Sequence, residues 1–271
     1  MGPARIVGGA RARAWGAMKG LYVCLLLAGC GTQYSDPILR GGGNEGGARD
    51  VATCTAEPVQ QFDGAHFATM TRLVQDDFTL EVWLKTDQSL TGTGAYLGNP
   101  IVYADVPALT TDDFGASILN NKFQMTIGNP DTPVRSTSDV TTNEWVHVAA
   151  SRTRSTGLVL VFVNGVLEGS GTGNTNALSA SPTMSIGGRA MRDFFVGQLA
   201  DLRIWSTVRT QAEILGNMHR RLEGNEPGLV GYYRLDEAQG VTVKDSSSSQ
   251  NDAKLDTSGT AVGSDPPICG H

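Results

Sequence analysis

The sequence predicts an all-β fold, and three observations carry that prediction. Phe78–Lys85 and residues 145–151 place successive side chains on opposite faces, with the two-residue period of a strand. Leu158–Val163 is apolar on both faces and runs into Asn164-Gly165, the pair that a type I′ hairpin turn favours. The chain also contains 34 glycines and 11 prolines, which suit many tight turns.

Residues 1–29 have the pattern of an export signal and are set apart from the folded domain. Basic residues precede the apolar run of residues 21–28, which is shorter than the ~20 residues that a membrane-spanning helix needs. Met18 is an alternative start of the chain. The sequence therefore predicts an extracytoplasmic protein.

Leu27-Ala28-Gly29-Cys30 resembles a bacterial lipobox, in which the cysteine is acylated and becomes the new N-terminus. This predicts a lipoprotein of the bacterial cell envelope, held to the membrane through a lipid on Cys30. An ordinary secretory signal that contains a cysteine is the alternative, and the protein is then secreted. Residues 30–50 are glycine-rich and nearly free of apolar side chains, so we expect a flexible tether before a single domain of residues 51–271.

Two further cysteines, Cys54 and Cys269, bracket the residues that are expected to fold. In an oxidising compartment they predict a disulfide bond that ties the ends of the domain together, and two free thiols are the alternative.

The net charge disfavours nucleic acid as a partner. Removal of residues 1–29 takes away four basic residues and changes the formal charge from −6 to −10. Binding to phosphates requires a basic surface, and the sequence contains no basic cluster of that kind.

Two more elements follow from local signals. Phe114–Leu119 and residues 122–128 are strand-like and flank Asn120-Asn121, which predicts a hairpin. Thr210 and Glu213 have the spacing of a capping box ahead of an apolar pair, so a short helix is expected to begin there.

Several segments in combination resemble the laminin G-like, concanavalin A-like jelly-roll family, over about residues 54–260. The segments are Gln61-Phe62-Asp63-Gly64, Phe78–Lys85, Trp145-Val146-His147-Val148-Ala149, Met184-Ser185-Ile186-Gly187-Gly188, residues 195–205 and residues 228–247. Tyr233 stands where the family pattern has tryptophan. The resemblance implies a two-sheet antiparallel jelly-roll sandwich with one short helix near the C-terminal third of the chain.

The sequence lacks the usual hydrolytic motifs. Glucanases of this fold aim carboxylates into one cleft from a Glu-x-Asp strand motif, and no Glu-x-Asp occurs in the chain. No Gly-x-Ser-x-Gly nucleophile elbow and no His-Glu-x-x-His zinc motif is present either. Glu81 is the lone acid on its strand and is expected to face solvent, and His147 is expected to be a packed strand residue. These observations predict that the protein is not an enzyme.

The resemblance also implies a structural calcium ion. Its ligands on this chain are Asp63 and Asp201, with a backbone oxygen of Gly64, because calcium prefers hard oxygen ligands. The alternative is that Asp63 caps a turn and Asp201 forms local hydrogen bonds.

The predicted function is a non-enzymatic cell-surface module that binds glycan or protein. Aromatic side chains stack on sugars, and Trp83, Tyr96 and Tyr103 are candidates by residue type. Loops on a rigid sandwich commonly hold ligand contacts, which directs attention to residues 86–107. The alternative is a structural or adhesion lipoprotein without a small ligand. A degenerate glycoside hydrolase is the third hypothesis and requires two carboxylates to converge.

Overall fold

The computed structural model describes residues 58–106, 111–189, 193–237, 239–256, 260–263 and 268, all within one compact unit. The predicted export segment, tether, lipidation site Cys30 and disulfide pair Cys54 and Cys269 lie outside the described residues.

The described chain consists of strands and one short helix. The elements are β1 (Pro58–Asp63), β2 (Ala68–Thr71), β3 (Phe78–Lys85), β4 (Asn99–Ala104), β5 (Phe114–Leu119), β6 (Lys122–Ile127), β7 (Thr132–Arg135), β8 (Val146–Thr153), β9 (Leu158–Val163), β10 (Val166–Thr172), β11 (Thr183–Ile186), β12 (Gly188–Arg189), β13 (Asp193–Phe194), β14 (Val196–Trp205), α1 (Gln211–Asn217), β15 (Leu229–Tyr233), β16 (Thr242–Val243), β17 (Ala253–Leu255) and β18 (Thr260–Gly263).

Two antiparallel sheets pack face to face, which confirms the predicted sandwich. The first sheet has the order β10-β9-β8-β3-β14-β1-β18, with β15 also paired to β14. The second has the order β16-β17-β2-β11-β4-β5-β6-β7, and β12 and β13 form a separate two-stranded ribbon. Strands that are distant in the chain are neighbours in both sheets, as a jelly roll requires.

Local signals set several of these elements as predicted. Asn164 and Gly165 have φ values of 48° and 74° between β9 and β10, which is the left-handed region that their turn needs. The hydroxyl of Thr210 accepts a hydrogen bond from the Glu213 backbone N–H, and the Glu213 carboxylate accepts one from the Thr210 N–H. The predicted capping box therefore begins α1, the short helix.

The core lies between the sheets. Alternate side chains of β3, those of Phe78, Leu80, Val82 and Leu84, point into this core. Phe78 meets Phe114 of the second sheet with ring centroids 4.9 Å apart. Phe123 and Met125 of β6 complete this part of the core. Strands β3, β5, β6, β8 and β9 each contribute alternate residues to this core, as is typical of a sandwich.

The outer face of the first sheet is covered as well, by α1 and the residues around it. Ile214 of α1 packs on Ala149 and Phe162, and the indole N–H of Trp83 donates to the Met218 carbonyl at 2.8 Å. The expectation that Glu81 faces solvent is therefore wrong, because its side chain is only 1% exposed. Alternation along β3 assigned Glu81 to the outer face correctly, but a later part of the chain buries that face.

The outer face of the second sheet is polar and only half covered. Paired positions run across it from Lys254 to Thr69, Ser185, Tyr103, Gly115 and Thr126. On one half of this face, the loop before β4 lies on the strands, since Gln124 and Thr126 donate hydrogen bonds to the Ala95 carbonyl at 2.8 and 2.7 Å. On the other half, Thr69 and Thr183 are exposed to solvent. Within the described residues, no helix has the length and apolar character to cross a membrane.

Candidate functional site

A shallow pocket of about 90 Å³ opens on the uncovered half of the second sheet. We call it the sheet-face pocket. Strands β2, β4 and β11 form its floor, and the β12–β13 ribbon and the segment after β4 form its rim. Its polar and aromatic lining includes Phe67, Thr69, Tyr103, Asp105, Ser185 and Arg189.

Tyr103 lies flat on the sheet beneath the rim. A Cβ atom at Gly115 on the neighbouring strand would come within 2.5 Å of the Tyr103 ring, so only glycine leaves room for the ring there. Tyr96 lies with its ring centroid 6.2 Å away, and the Arg189 guanidinium lies 5.8 Å from the Tyr103 centroid. Burial raises the pKa of Tyr103 to about 12.

The three predicted sugar-stacking aromatics do not offer open faces. Trp83 and Tyr103 are each 2% exposed, and Tyr96 is half-buried. Trp83 lies on the covered face of the first sheet, whereas Tyr96 and Tyr103 meet beside the sheet-face pocket. Residue type was thus a poor guide, because packing and not chemistry decides whether an aromatic face is free.

Arg189 projects from the β12–β13 ribbon and is 9% exposed. One guanidinium nitrogen, Nη2, lies 3.0 Å from an Asp193 carboxylate oxygen, and Nε lies 3.7 Å from Oδ2 of Asp105. Nη1 donates a hydrogen bond to the Tyr96 carbonyl. The Nε–H has no hydrogen-bond partner among the described residues. The pocket therefore contains a buried donor that the protein itself leaves unused.

The pocket also contains an acceptor, the Asp105 carboxylate, and a second carboxylate, that of Asp113, acts on it. Burial and the charge of Asp113 raise the pKa of Asp105 and the charge of Arg189 lowers it, which together give a pKa of about 6. Asp113 is 1% exposed and accepts hydrogen bonds from the Tyr96 hydroxyl at 2.6 Å and the Val106 N–H at 3.1 Å. Asp113 is thus engaged by the protein, whereas Asp105 faces the pocket.

Asp113 is not available as the second carboxyl group of a glycosidase. It is 1% exposed, and the Tyr96 hydroxyl, the Thr111 hydroxyl and the Val106 N–H donate hydrogen bonds to its two oxygens. A glycosidase needs two carboxyl groups that both reach the scissile bond. The residues that line the pocket supply one such group, that of Asp105.

A separate cluster of charged residues lies on the covered face of the first sheet. Arg203 forms an ion pair with Asp201, which also accepts a hydrogen bond from the Tyr232 hydroxyl at 2.7 Å. The Glu81 carboxylate lies 3.5 Å from Nε2 of His147. All five side chains are buried, with residue exposures of 2% or less. No solute reaches them, so this buried network holds the structure together and does not form a reaction site.

Burial and the neighbouring charges set the protonation states in the buried network. Burial alone raises the pKa of Glu81, but the interaction with His147 and the charge of Arg203 outweigh it and lower the pKa overall. Burial lowers the pKa of His147 by more than Glu81 raises it. At neutral pH Glu81 is therefore ionised and His147 is neutral. The prediction that His147 is a packed strand residue agrees with this placement.

The structure does not bring the predicted calcium ligands together. Asp63 pairs with Val196, and Asp201 follows five residues later on β14, which separates the two aspartates by about 16 Å along the strand. Asp63 is exposed and accepts a hydrogen bond from the Ala65 N–H, and Gly64 has a φ of 83° in the same turn. Asp201 sits in a bulge with a φ of 56° and is satisfied by Arg203 and Tyr232.

A calcium ion held by both Asp63 and Asp201 does not fit this arrangement. Within the described residues, no group of three or more His, Cys, Asp or Glu side chains could hold a metal ion. The turn at Asp63 and Gly64 supplies one exposed carboxylate, which is a small part of the six to eight oxygens that calcium takes.

Comparison with known families assigns the fold. The model of the concanavalin A-like lectin/glucanases superfamily, in its Laminin_G_3 form, matches residues 60–215. The chain belongs to this superfamily. Lectins and glucanases are both named in the description of the superfamily, so membership leaves the choice between binding and hydrolysis to the site. No curated protein sequence matches the chain.

Solved structures similar to the chain include proteins from three organisms. A candidate carbohydrate-binding protein from Bacteroides ovatus matches with a TM-score of 0.63 and 22% identity, over 79% of this chain and 62% of that one. The chain thus spans less than two thirds of that protein. A pentraxin of Limulus polyphemus matches with a TM-score of 0.47 and 16% identity, over 59% of this chain and 81% of its own. The carbohydrate-binding module of a Ruminococcus gnavus sialidase matches with a TM-score of 0.46 and 12% identity, over 59% of this chain and 95% of that one.

Sequence patterns did not predict the pairing of Asp105 with Arg189 in the pocket. The interval 86–107 contributes Tyr103 and Asp105, but no motif indicated Asp105 or linked it to Arg189. Their proximity depends on the placement of the β12–β13 ribbon over β4, which no short-range pattern encodes.

Proposed function

We propose that this chain is a non-enzymatic carbohydrate-binding module and that its ligand occupies the sheet-face pocket. The observation that carries the proposal is the pair formed by Asp105 and Arg189. The Asp105 carboxylate faces the pocket, and the neighbouring Arg189 Nε–H has no hydrogen-bond partner among the described residues. A buried polar group without a partner is costly, and a ligand that supplies the missing partner recovers that cost.

Sugar hydroxyl groups suit this pair because each hydroxyl both donates and accepts. One hydroxyl can donate to the Asp105 carboxylate while its neighbour accepts from Arg189. Hydrogen bonds to ionised groups contribute about 1.5–3 kcal/mol each, more than those between neutral groups. The likeness to the Bacteroides protein supports the proposal, since that protein is itself described as a candidate carbohydrate binder of the same fold.

The surroundings of the pair favour recognition of a ligand surface. Arg189 lies on the paired strand β12 and Asp105 directly follows β4, so little conformational entropy is lost on binding. Thr69 and Thr183 line the pocket and are exposed, so they continue its polar surface towards solvent. A pocket of about 90 Å³ holds only part of one sugar ring, so we expect the rest of the glycan to lie along these threonines.

The positions of the carboxylates support binding without hydrolysis. Asp105 faces the pocket, but Asp113 is buried and its oxygens already accept hydrogen bonds from Tyr96, Thr111 and Val106, so it does not reach a glycosidic bond. Glu81 and Asp201 are buried under the segment around α1. We therefore propose that a bound glycan leaves unchanged.

A glycan array with the full chain tests this proposal, followed by calorimetry on each glycan that binds. We expect Asp105→Ala to abolish binding and Asp87→Ala, at an exposed aspartate outside the pocket, to leave it unchanged. Unaltered affinity of the Asp105 variant would overturn the assignment of the site. An array without any hit would favour the structural or adhesion lipoprotein, and release of sugar from a bound glycan would contradict the non-enzymatic role.

We also propose that the protein is exported and anchored at Cys30, on the strength of its lipobox-like residues. Replacement of Cys30 with alanine is expected to move the protein out of the membrane fraction, and retention there would refute the anchor. Quantification of free thiols in the denatured mature protein, before and after reduction, tests the proposed Cys54–Cys269 disulfide.

A further inference from the structure

The sheet-face pocket contains an arginine, Arg189, but the net charge around the pocket is negative. An arginine in a sugar-binding pocket usually indicates an acidic ligand, because guanidinium groups pair with carboxylates. Arg189, however, is already paired with Asp105 and Asp193. Its positive charge is neutralised before any ligand arrives.

Carboxylates outnumber cations at the pocket. Asp113 and Asp131 both act on Asp105 in addition to Arg189. The other nearby guanidinium belongs to Arg72, which donates hydrogen bonds to the Ser181 carbonyl and to the Gln75 side chain. Counting Asp105 and Asp193 as well, four carboxylates contribute negative charge near the pocket, against the two guanidinium groups of Arg189 and Arg72. The pocket is therefore negative at neutral pH.

Lys254 is the nearest exposed cation among the paired positions on the outer face of the second sheet, and it is too far away to make the pocket positive. Lys254 on β17 is three strands from Tyr103 on β4, which is about 14 Å at the usual strand spacing. That distance exceeds the Debye length of about 8 Å at physiological ionic strength. Lys254 thus contributes little to the potential at Asp105.

The remaining polar groups of the pocket match uncharged hydroxyls. The Ser185 hydroxyl donates its proton to the Gly188 carbonyl, so its oxygen presents lone pairs to the pocket. Asp105 is an acceptor, and the Arg189 Nε–H is a donor without a partner among the described residues. Adjacent hydroxyls on a sugar ring supply both of the complementary roles without adding charge.

We infer that the sheet-face pocket selects uncharged sugars through two adjacent hydroxyl groups and rejects sugars that carry a carboxylate, with Asp105 as the residue that determines this specificity. The inference rests on the proposed carbohydrate binding and extends it to a ligand class. A carboxylate on the ligand would face Asp105 and Asp193 across a partly buried pocket, where like charges repel strongly.

Matched glycosides test this inference with the full chain at pH 7.5. Each neutral methyl hexoside, in the gluco, galacto and manno series, is compared with the corresponding uronide and with the methyl ester of that uronide. We expect the uronide to bind at least tenfold more weakly than the neutral sugar. The methyl ester is expected to recover most of the affinity, because it restores neutrality at nearly the same shape.

Two variants connect the selectivity to the named charges. Asp105→Asn and Asp193→Asn are each expected to reduce the ratio between neutral and acidic affinities by at least threefold, whereas Asp87→Asn keeps the ratio. Asp193 is partly exposed, so its variant is expected to fold normally even if the change at Asp105 disturbs the pocket. Raising the salt concentration to 1 M is expected to reduce the ratio of neutral-sugar affinity to uronide affinity in the wild-type protein, because salt screens the repulsion.

The possible outcomes separate the inference from the proposed function. Equal or tighter binding of the uronides overturns the inference and leaves carbohydrate binding intact. The same holds if both variants keep the wild-type ratio. Failure of every neutral and acidic sugar to bind, on this panel and on the array, overturns both.

Discussion

Replacement of Arg203 with methionine is expected to destabilise the domain strongly. Arg203 is fully buried on the outer face of the first sheet, where it forms an ion pair with Asp201. It also donates hydrogen bonds to the carbonyls of Asn217 at 2.9 Å and Arg220 at 2.6 Å. One side chain therefore neutralises a buried carboxylate and attaches the segment that follows α1 to the sheet.

The magnitude follows from what the substitution leaves behind. Methionine is close to arginine in length but cannot donate, so Asp201 becomes a buried charge with only the Tyr232 hydroxyl as a partner. Breaking a buried ion pair by removing one partner costs about 3–5 kcal/mol. The two carbonyls that lose their donor place the expected loss near the upper end, about 4–5 kcal/mol. Domains of this kind have only about 5–15 kcal/mol of stability in total.

Urea unfolding of the full chain at pH 7.5 measures this loss. The matched control is Arg154→Met, because Arg154 forms an ion pair with Asp76 in which both side chains are more than 40% exposed. Exposed pairs contribute about 0–1 kcal/mol, so the control is expected to lose no more than that. In the Arg203→Met background, Asp201→Asn is expected to recover part of the lost stability by removing the unpaired charge. A loss below about 1.5 kcal/mol for Arg203→Met, or no recovery in the double variant, would refute the reasoning.

Three further predictions address the site, the helix and the metal. Glycan affinity, measured by calorimetry, is expected to fall about tenfold between pH 7.5 and pH 5. Asp105 has a pKa of about 6, so at pH 5 it is mostly protonated and no longer an ionised acceptor. The pH dependence of the affinity should disappear in Asp105→Asn. Ile214→Ala is expected to cost about 2–4 kcal/mol in urea unfolding, since Ile214 docks α1, whereas the exposed Leu215→Ala should change stability by less than about 0.5 kcal/mol. A calcium chelator is expected to leave the thermal midpoint unchanged, because Arg203 already neutralises Asp201. A lower midpoint with chelator would contradict this expectation and support the calcium ion that the family resemblance implies.

The protonation states explain why pH should act on the pocket and the buried network differently. Asp105 titrates near pH 6 and borders the pocket, so a proton directly alters ligand contacts. Glu81 and His147 instead have lowered pKa values in the folded state. Their contribution to stability is present at neutral pH, and it is lost progressively as the pH falls from the ordinary pKa values of the unfolded chain through the lowered values of the folded state.

The sequence by itself determined the elements whose signals are local. The alternation of Phe78–Lys85, the Asn164-Gly165 turn and the capping box at Thr210 each involve residues within a few positions of one another. Their conformations depend on backbone sterics and short-range hydrogen bonds. Several such segments in combination were enough to predict the sandwich and its superfamily.

Only the tertiary structure decided which faces are covered and which distant residues meet. Alternation along β3 places Glu81 and Trp83 on one face, but whether that face meets water depends on where α1 and its flanking residues dock. The pairing of Asp105 with Arg189 depends in the same way on how the β12–β13 ribbon lies over β4. Such contacts arise from the packing of elements far apart in the chain, so no local pattern of residues records them.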